Sequence, residues 1–251
     1  MRYLALEFYK LKHKYVFLTA LALFLGETAL IAVSLSHNVK RDGLNVTLWL
    51  KLLMQLSVFN SLFCPFTLAV LSSRVCDVEH KGDTWKLLSC CSERISSLYR
   101  AKFTCIMIDV AAAQAVQYLV LAGFGTAEKI PGPFPAGQLL ASYLGTMMVN
   151  LSVLAVQEYF SMAIPNQFVS LVIGLFGSFI GFTGALYPDM LRHIFIWGYY
   201  IELAQTKTIV TAAGAYAIVP VGINWAMLFG VLIAGALLYL LGKHRLTRKE
   251  M

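Results

Sequence analysis

Six runs of apolar residues, each long enough to cross about 30 Å of hydrocarbon, leave this chain few ways to fold. They cover 15–35, 52–71, 103–124, 139–161, 168–187 and 223–241. Charged residues make up only 13% of the chain and hydrophobic ones 59%, where a soluble domain spends about 25% on charge. A surface this poor in charge is covered by lipid. In lipid every backbone N–H and C=O must be satisfied within the segment, and runs of this length do so as α-helices. The sequence therefore predicts an all-α integral membrane protein, one transmembrane domain over 1–251. The first run is too long for a cleavable signal peptide, and no clear small-residue cleavage site closes it. A semi-polar stretch, 188–222, precedes the last run, and its apolar second half (209–220) is too short to span. It reads as a re-entrant or interfacial segment.

Basic residues orient the bundle. Fourteen of the twenty lie in the amino-terminal tail, in the connection from Arg74 to Lys102 and in the carboxy-terminal tail; the other side has Lys40, Arg41, Lys51, Lys129, Arg192 and Lys207. Cationic flanks stay in the cytoplasm, so both termini and the 74–102 loop are expected there. Much of the formal charge of +7 then meets anionic lipid, and charge so dispersed is a poor fit to nucleic acid. The five cysteines lack Cys-x-x-Cys spacing, and no metal or cofactor site is expected. Nor is there a His-Glu-x-x-His, a Gly-x-x-x-x-Gly-Lys or a Gly-x-Ser-x-Gly. The chain is not expected to be an enzyme.

Three acids fall within the spans. A carboxylate in hydrocarbon is costly and turns toward protein or water. Glu27, near the middle of the first span, and Asp109, two turns into the third, either line a substrate path or bond a neighbouring helix. Glu158, near the inner end of the fourth, is placed to reach the interface. Gly174, Gly177, Gly181 and Gly184, spaced by three and four, share one face of the fifth span. Small residues there permit close helix packing, within the chain or with a second copy. The outer stretch YPDMLRHIFIWGYYIEL places Trp197, Tyr199 and Tyr200 as interfacial anchors or as contacts for an extracellular substrate.

The stretch VEHKGDTWKLLSCCSERISSLYRAK, 78–102, interrupts the oil with charge. From Asp83 to Cys91 its period suits a short helix with Trp85 and Leu88 on one face. That face fits the membrane surface or a groove on a soluble partner. A further helix through Ile95, Leu98, Tyr99 and Lys102 leads into the third span.

This stretch resembles the first intracellular connection of ABC-2 type exporter permeases. The resemblance is carried by Glu79, Thr84, Trp85, Leu87, Leu88, Arg94, Tyr99, Ala101 and Lys102. The opening LALEFYKLKHKYVFLTALALF is similar to the family's amphipathic amino-terminal helix, here with Glu7 and Lys10. Within the family the chain looks most like lantibiotic immunity permeases of the MutE/EpiE type, with bacitracin-exporter permeases also similar. It departs at Cys91, where the family more often has Pro, and at Asp83, which separates Gly82 from Thr84.

The resemblance implies a six-helix permease in a bacterial cell membrane, with no ATPase site of its own. Two cytoplasmic ABC ATPase subunits would dock beneath two permeases, identical or related. The coupling helix would carry Glu79, Thr84, Trp85, Leu87, Leu88 and Arg94, and the cargo would be an amphipathic peptide such as a lantibiotic. A membrane sensor or assembly protein of the same fold, and a membrane-embedded enzyme, are the alternatives; an ATPase that co-purifies would favour the transporter.

Overall fold

The apolar runs become helices longer than the runs themselves. The computed structural model describes residues 2–12, 14–81, 95–210 and 216–248. Its helices are α1 (Arg2–Lys12), α2 (Val16–Asp42), α3 (Leu48–Lys81), α4 (Ile95–Ala127), α5 (Ala136–Ala163), α6 (Gln167–Thr183), α7 (Asp189–Arg192) and α8 (Trp225–Arg248). Six of the helices are long and apolar enough to cross a membrane.

With 34 and 33 residues, α3 and α4 each rise about 50 Å, some 20 Å more than the hydrocarbon needs. The predicted spans 52–71 and 103–124 are thus the apolar middles of two longer rods. Hydropathy falls where the charges begin, but Glu, Lys, Arg and Leu are all good helix formers, so the backbone continues. Residues 78–81 belong to α3 and 95–102 to α4. The expected short helix over 83–91 lies outside the described residues.

At the centre stands α3, packed against α2, α4, α5 and α6. Its Leu52, Leu53, Leu56, Leu68 and Leu71 are fully buried. Leu30 of α2, Phe176 and Phe179 of α6, and Leu240 of α8 point outward, toward the acyl chains that the sequence requires.

The glycine face of α6 is filled from within the chain. A side chain at 174 would collide with Ala69 and crowd the carbonyl of Pro65; one at 177 would strike the Trp197 indole. At 181 it would come within 2.7 Å of the Ser61 carbonyl oxygen. Pro65 lacks the N–H that would occupy that carbonyl in a helix, and α6 closes over the gap. At Gly184 an added Cβ would make only ordinary contacts, at 3.7 Å. The face from Gly174 to Gly181 is therefore an intramolecular seam, with no room for a second copy.

The stretch before α8 divides in two. A 3₁₀ helix, Ile196–Ala204, turns back against α3, α5 and α6, burying Tyr200 and Leu203. The apolar second half is an antiparallel ribbon, β1 (Thr206–Val210) paired with β2 (Tyr216–Pro220) in the register Thr206 to Pro220. The first half thus packs back into the bundle, and the second half is an extended ribbon. Its β-branched residues favour the extended chain.

Gly174→Leu should destabilise the protein by about 1–3 kcal/mol through overpacking. Gly26→Leu should be close to neutral, because nothing lies within 4 Å of a Cβ at 26. Thermal unfolding in one detergent, followed by size exclusion, distinguishes the two.

Candidate functional site

The charged segment is rooted in a four-residue ion cluster. Lys102 of α4 is fully buried and directs its three N–H donors to three acceptors. These are Glu7 Oε2 at 2.9 Å, the Val75 carbonyl oxygen at 3.1 Å and Glu79 Oε1 at 3.3 Å. Lys10 closes the ring, 3.1 Å from Glu7 Oε1 and 3.0 Å from Glu79 Oε1. Among the described residues the two lysines and two glutamates balance, so three helices meet on paired charge.

The local sequence explains the placement. Glu7 and Leu11 lie one turn apart on the buried face of α1, while Tyr9 on the opposite face is exposed. The chain reverses at Tyr15, which takes a left-handed backbone with φ 53°, and so α1 lies beside α4. Glu79 ends α3 and Lys102 stands two turns into α4, so the cluster grips both roots of the segment between them. Burial works against the charge on Lys10, but hydrogen bonding to Glu79 and the field of Glu7 outweigh it and raise its pKa above 10.5. A raised lysine pKa contributes fully below the ordinary value and is lost only as pH climbs through the raised one. Near neutral pH the Lys10 contribution is intact.

Deeper in the bundle a polar seam joins α3, α4, α5 and the 3₁₀ helix. Gln114 donates to Asn60 Oδ1 at 3.3 Å and accepts from Asn150 Nδ2 at 2.9 Å. Tyr200 donates to Asn150 Oδ1 at 2.6 Å, and its carbonyl accepts from Ser57 Oγ. The Tyr118 hydroxyl bonds Ser142 at 3.1 Å and Thr146 at 3.2 Å. In a medium without water such networks fix which helix faces which.

The structure separates the predicted acids. Glu27 is fully buried between α2 and α4, and neither oxygen has a hydrogen-bond partner among the described residues. It faces Gln117, eight residues along α4 from Asp109 and so about 12 Å away. Asp109, 8% exposed, lies one turn beyond Cys105. Glu158 is fully buried in the protein, in the field of Lys102.

Glu79, expected on the coupling helix, lies in the last turn of α3 and is a member of the ion cluster. Thr84, Trp85, Leu87, Leu88 and Arg94 lie outside the described residues. Of the aromatic trio, Tyr200 belongs to the interior seam and is withdrawn from any outer contact surface, because its hydroxyl is held by Asn150. Trp197 lies half-buried beneath Gly177, and Tyr199 donates to the His193 carbonyl at 3.0 Å.

Sequence reasoning passed over Asn60, Gln114, Tyr118 and Asn150. Their signal was present: Ser142, Thr146 and Asn150 are spaced by four and share one helix face.

Comparison with known proteins places this architecture. The family model described as ABC-2 family transporter protein matches residues 3–181, which include all four members of the ion cluster. The chain belongs to the ABC-2 transporter family. No curated protein and no solved structure matches it. Membership makes the chain a multi-pass membrane permease subunit and implies association with an ABC ATPase. The ABC-2 match ends inside α6, so the 3₁₀ helix, the ribbon and α8 stand on the structure alone.

Lys102→Met would leave Glu7 and Glu79 buried side by side. Removing one partner of a buried ion pair costs about 3–5 kcal/mol, and thermal stability in detergent should fall accordingly. Lys10, 38% exposed, should tolerate Met better. Lys81→Met breaks only a surface pair with Asp77 and should cost under about 1 kcal/mol.

Proposed function

We propose that this ABC-2 permease exports an amphipathic antimicrobial peptide, a lantibiotic or a close analogue, from a bacterial cell membrane. ATP is hydrolysed by two cytoplasmic subunits beneath a pair of permeases, and the cell gains self-protection. Both termini and residues 74–102 face the cytoplasm, in keeping with the basic-residue asymmetry. The peptide class rests on the likeness of the opening residues and of 79–102 to lantibiotic immunity permeases.

The observation that carries the coupling half of this reading is the ion cluster at the root of the charged segment. Within the 74–102 loop, the short helix expected over 83–91 is the coupling element, with Trp85 and Leu88 as its apolar anchor in a cleft of the ATPase. Closure of the nucleotide-bound ATPase pair draws on that anchor. Because Glu79 and Lys102 are tied to each other and to α1, the pull reaches α3 and α4 together, along two rods that project past the bilayer. The same helices carry the interior seam at Asn60 and Gln114, so movement at the root is delivered to the middle of the membrane. Glu27 becomes a path residue when α2 and α4 part; closed, it is a packing residue.

Interfaces draw their affinity from a few desolvated aromatic and apolar anchors, and truncating one costs more than about 2 kcal/mol. Trp85→Ala should therefore weaken recovery of the ATPase subunit, or uncouple its hydrolysis from peptide protection, with membrane insertion unchanged. Wild-type recovery and coupling in both Trp85→Ala and Trp85→Leu would reject the coupling role. Full rescue by leucine would assign Trp85 to the lipid surface instead.

A further inference from the structure

Two adjoining hollows lie between α5 and α8, at the end of the bundle that carries the basic carboxy-terminal residues. The first, about 260 Å³, is lined by Val156, Leu238 and Leu241. The second, about 460 Å³, is lined by His244 and Arg248. Tyr159 and Arg245 border both, so the two form one groove with an apolar half and a cationic half. Gly242 keeps the apolar half open; a Cβ there would stand 3.1 Å from the Tyr159 ring and 3.1 Å from the Tyr99 hydroxyl.

Among the described residues the cations in this groove have no counter-charge. Arg245 and Arg248 are exposed, and neither has an ion pair or side-chain hydrogen bond among the described residues. Glu158, next in sequence to Tyr159, is fully buried and adds no charge to the groove surface. Arg245 stands one turn, about 6 Å, beyond Leu241, so the cationic half begins where the apolar wall ends. A ligand that fits has a hydrocarbon chain and, at one end of it, an anion.

We propose that the α5–α8 groove is a binding site for an anionic phospholipid. One acyl chain lies along Val156, Leu238 and Leu241, and the phosphate sits between Arg245 and Arg248, with His244 alongside. The site presupposes only that α5 and α8 cross a bilayer, and it stands or falls independently of the peptide cargo. A second copy of the chain packed here in parallel would bring Arg245 and Arg248 against their own equivalents, and like charges disfavour it. Basic residues at the membrane surface attract anionic headgroups, and a groove holding one lipid would fix how α8 leans on α5.

The test uses the intact chain in nanodiscs of mixed phosphatidylglycerol and phosphatidylcholine, released into native mass spectrometry. Wild type should retain phosphatidylglycerol in preference to phosphatidylcholine. Arg245→Gln/Arg248→Gln should lower that preference roughly fivefold for each arginine removed, and Arg245→Lys should keep it. Val156→Trp, which fills the apolar half, should lose the bound lipid with both arginines in place. Free glycerol phosphate at millimolar concentration should not displace it.

Equal retention of the two lipids by wild type would overturn the proposal. So would wild-type preference in either the double glutamine variant or Val156→Trp. Displacement by glycerol phosphate would make the site a simple anion site. Loss of a second copy in Val156→Trp, with lipid unchanged, would make the groove a homodimer seam.

Discussion

Lys102 is the residue on which the cytoplasmic-side architecture of this permease turns, in the orientation proposed here. An ammonium buried among apolar neighbours is tolerable only with its donors met and its charge cancelled. Each of its three partners comes from another helix, Glu7 from α1 and both Glu79 and the Val75 carbonyl from α3. Meeting the demands of one side chain thus sets the position of α1, the end of α3 and the start of α4 at once. Such a cluster contributes less to net stability than an apolar core of equal size; what it supplies is a unique arrangement. In the coupling role proposed for this segment, that uniqueness is the useful property.

The remainder of the bundle follows a different rule. Lipid gives helices no reason to shed apolar surface, so association relies on close backbone approach and on polar groups that find one another. Both devices are present around α3. The glycines of α6 lie against Ser61, Pro65 and Ala69, and Asn60 joins Gln114, Asn150 and Tyr200 in a chain of hydrogen bonds across three other elements. Packing along α5 holds α8, where Gly235 lies against Ser152 and the Ser152 hydroxyl donates to the Val231 carbonyl at 2.9 Å, and the α5–α8 groove opens toward the basic end of this contact.

Much of this was legible from residues alone. Hydropathy located the six spans, and spacing by three and four located the glycine face, because both are properties of one helix. The members of the ion cluster were visible singly, as charges flanking spans. Their association was not, since Glu7 and Lys102 are 95 residues apart and no periodicity links them. The helix through Ile95, Leu98, Tyr99 and Lys102 was legible from its apolar spacing, but the continuation of α3 into the charged stretch escaped for a related reason: hydropathy marks where lipid ends, whereas helix ends depend on backbone hydrogen bonds. Tyr200 was misplaced because an aromatic beside Trp197 and Tyr199 reads as an interfacial anchor, and only the turn of the 3₁₀ helix carries it inward to Asn150. The ribbon before α8 was read only as a segment too short to span, although its β-branching pointed to strands.

Coupling through the ion cluster requires α1 and the roots of the charged segment to move as one body. Spin labels at positions 6 and 81, on α1 and at the end of α3, report this directly in a complex with its ATPase. Leu6 is 47% exposed and the Lys81 side chain 76%, so both sites accept labels without disturbing the core. Pulsed electron–electron resonance should give one narrow distance distribution, unchanged between nucleotide-free and ATP-trapped states, and Lys102→Met should broaden it. A wild-type distance that shifts between the two states, or a Lys102→Met distribution as narrow as wild type, would contradict the ion cluster as the joint that carries the stroke.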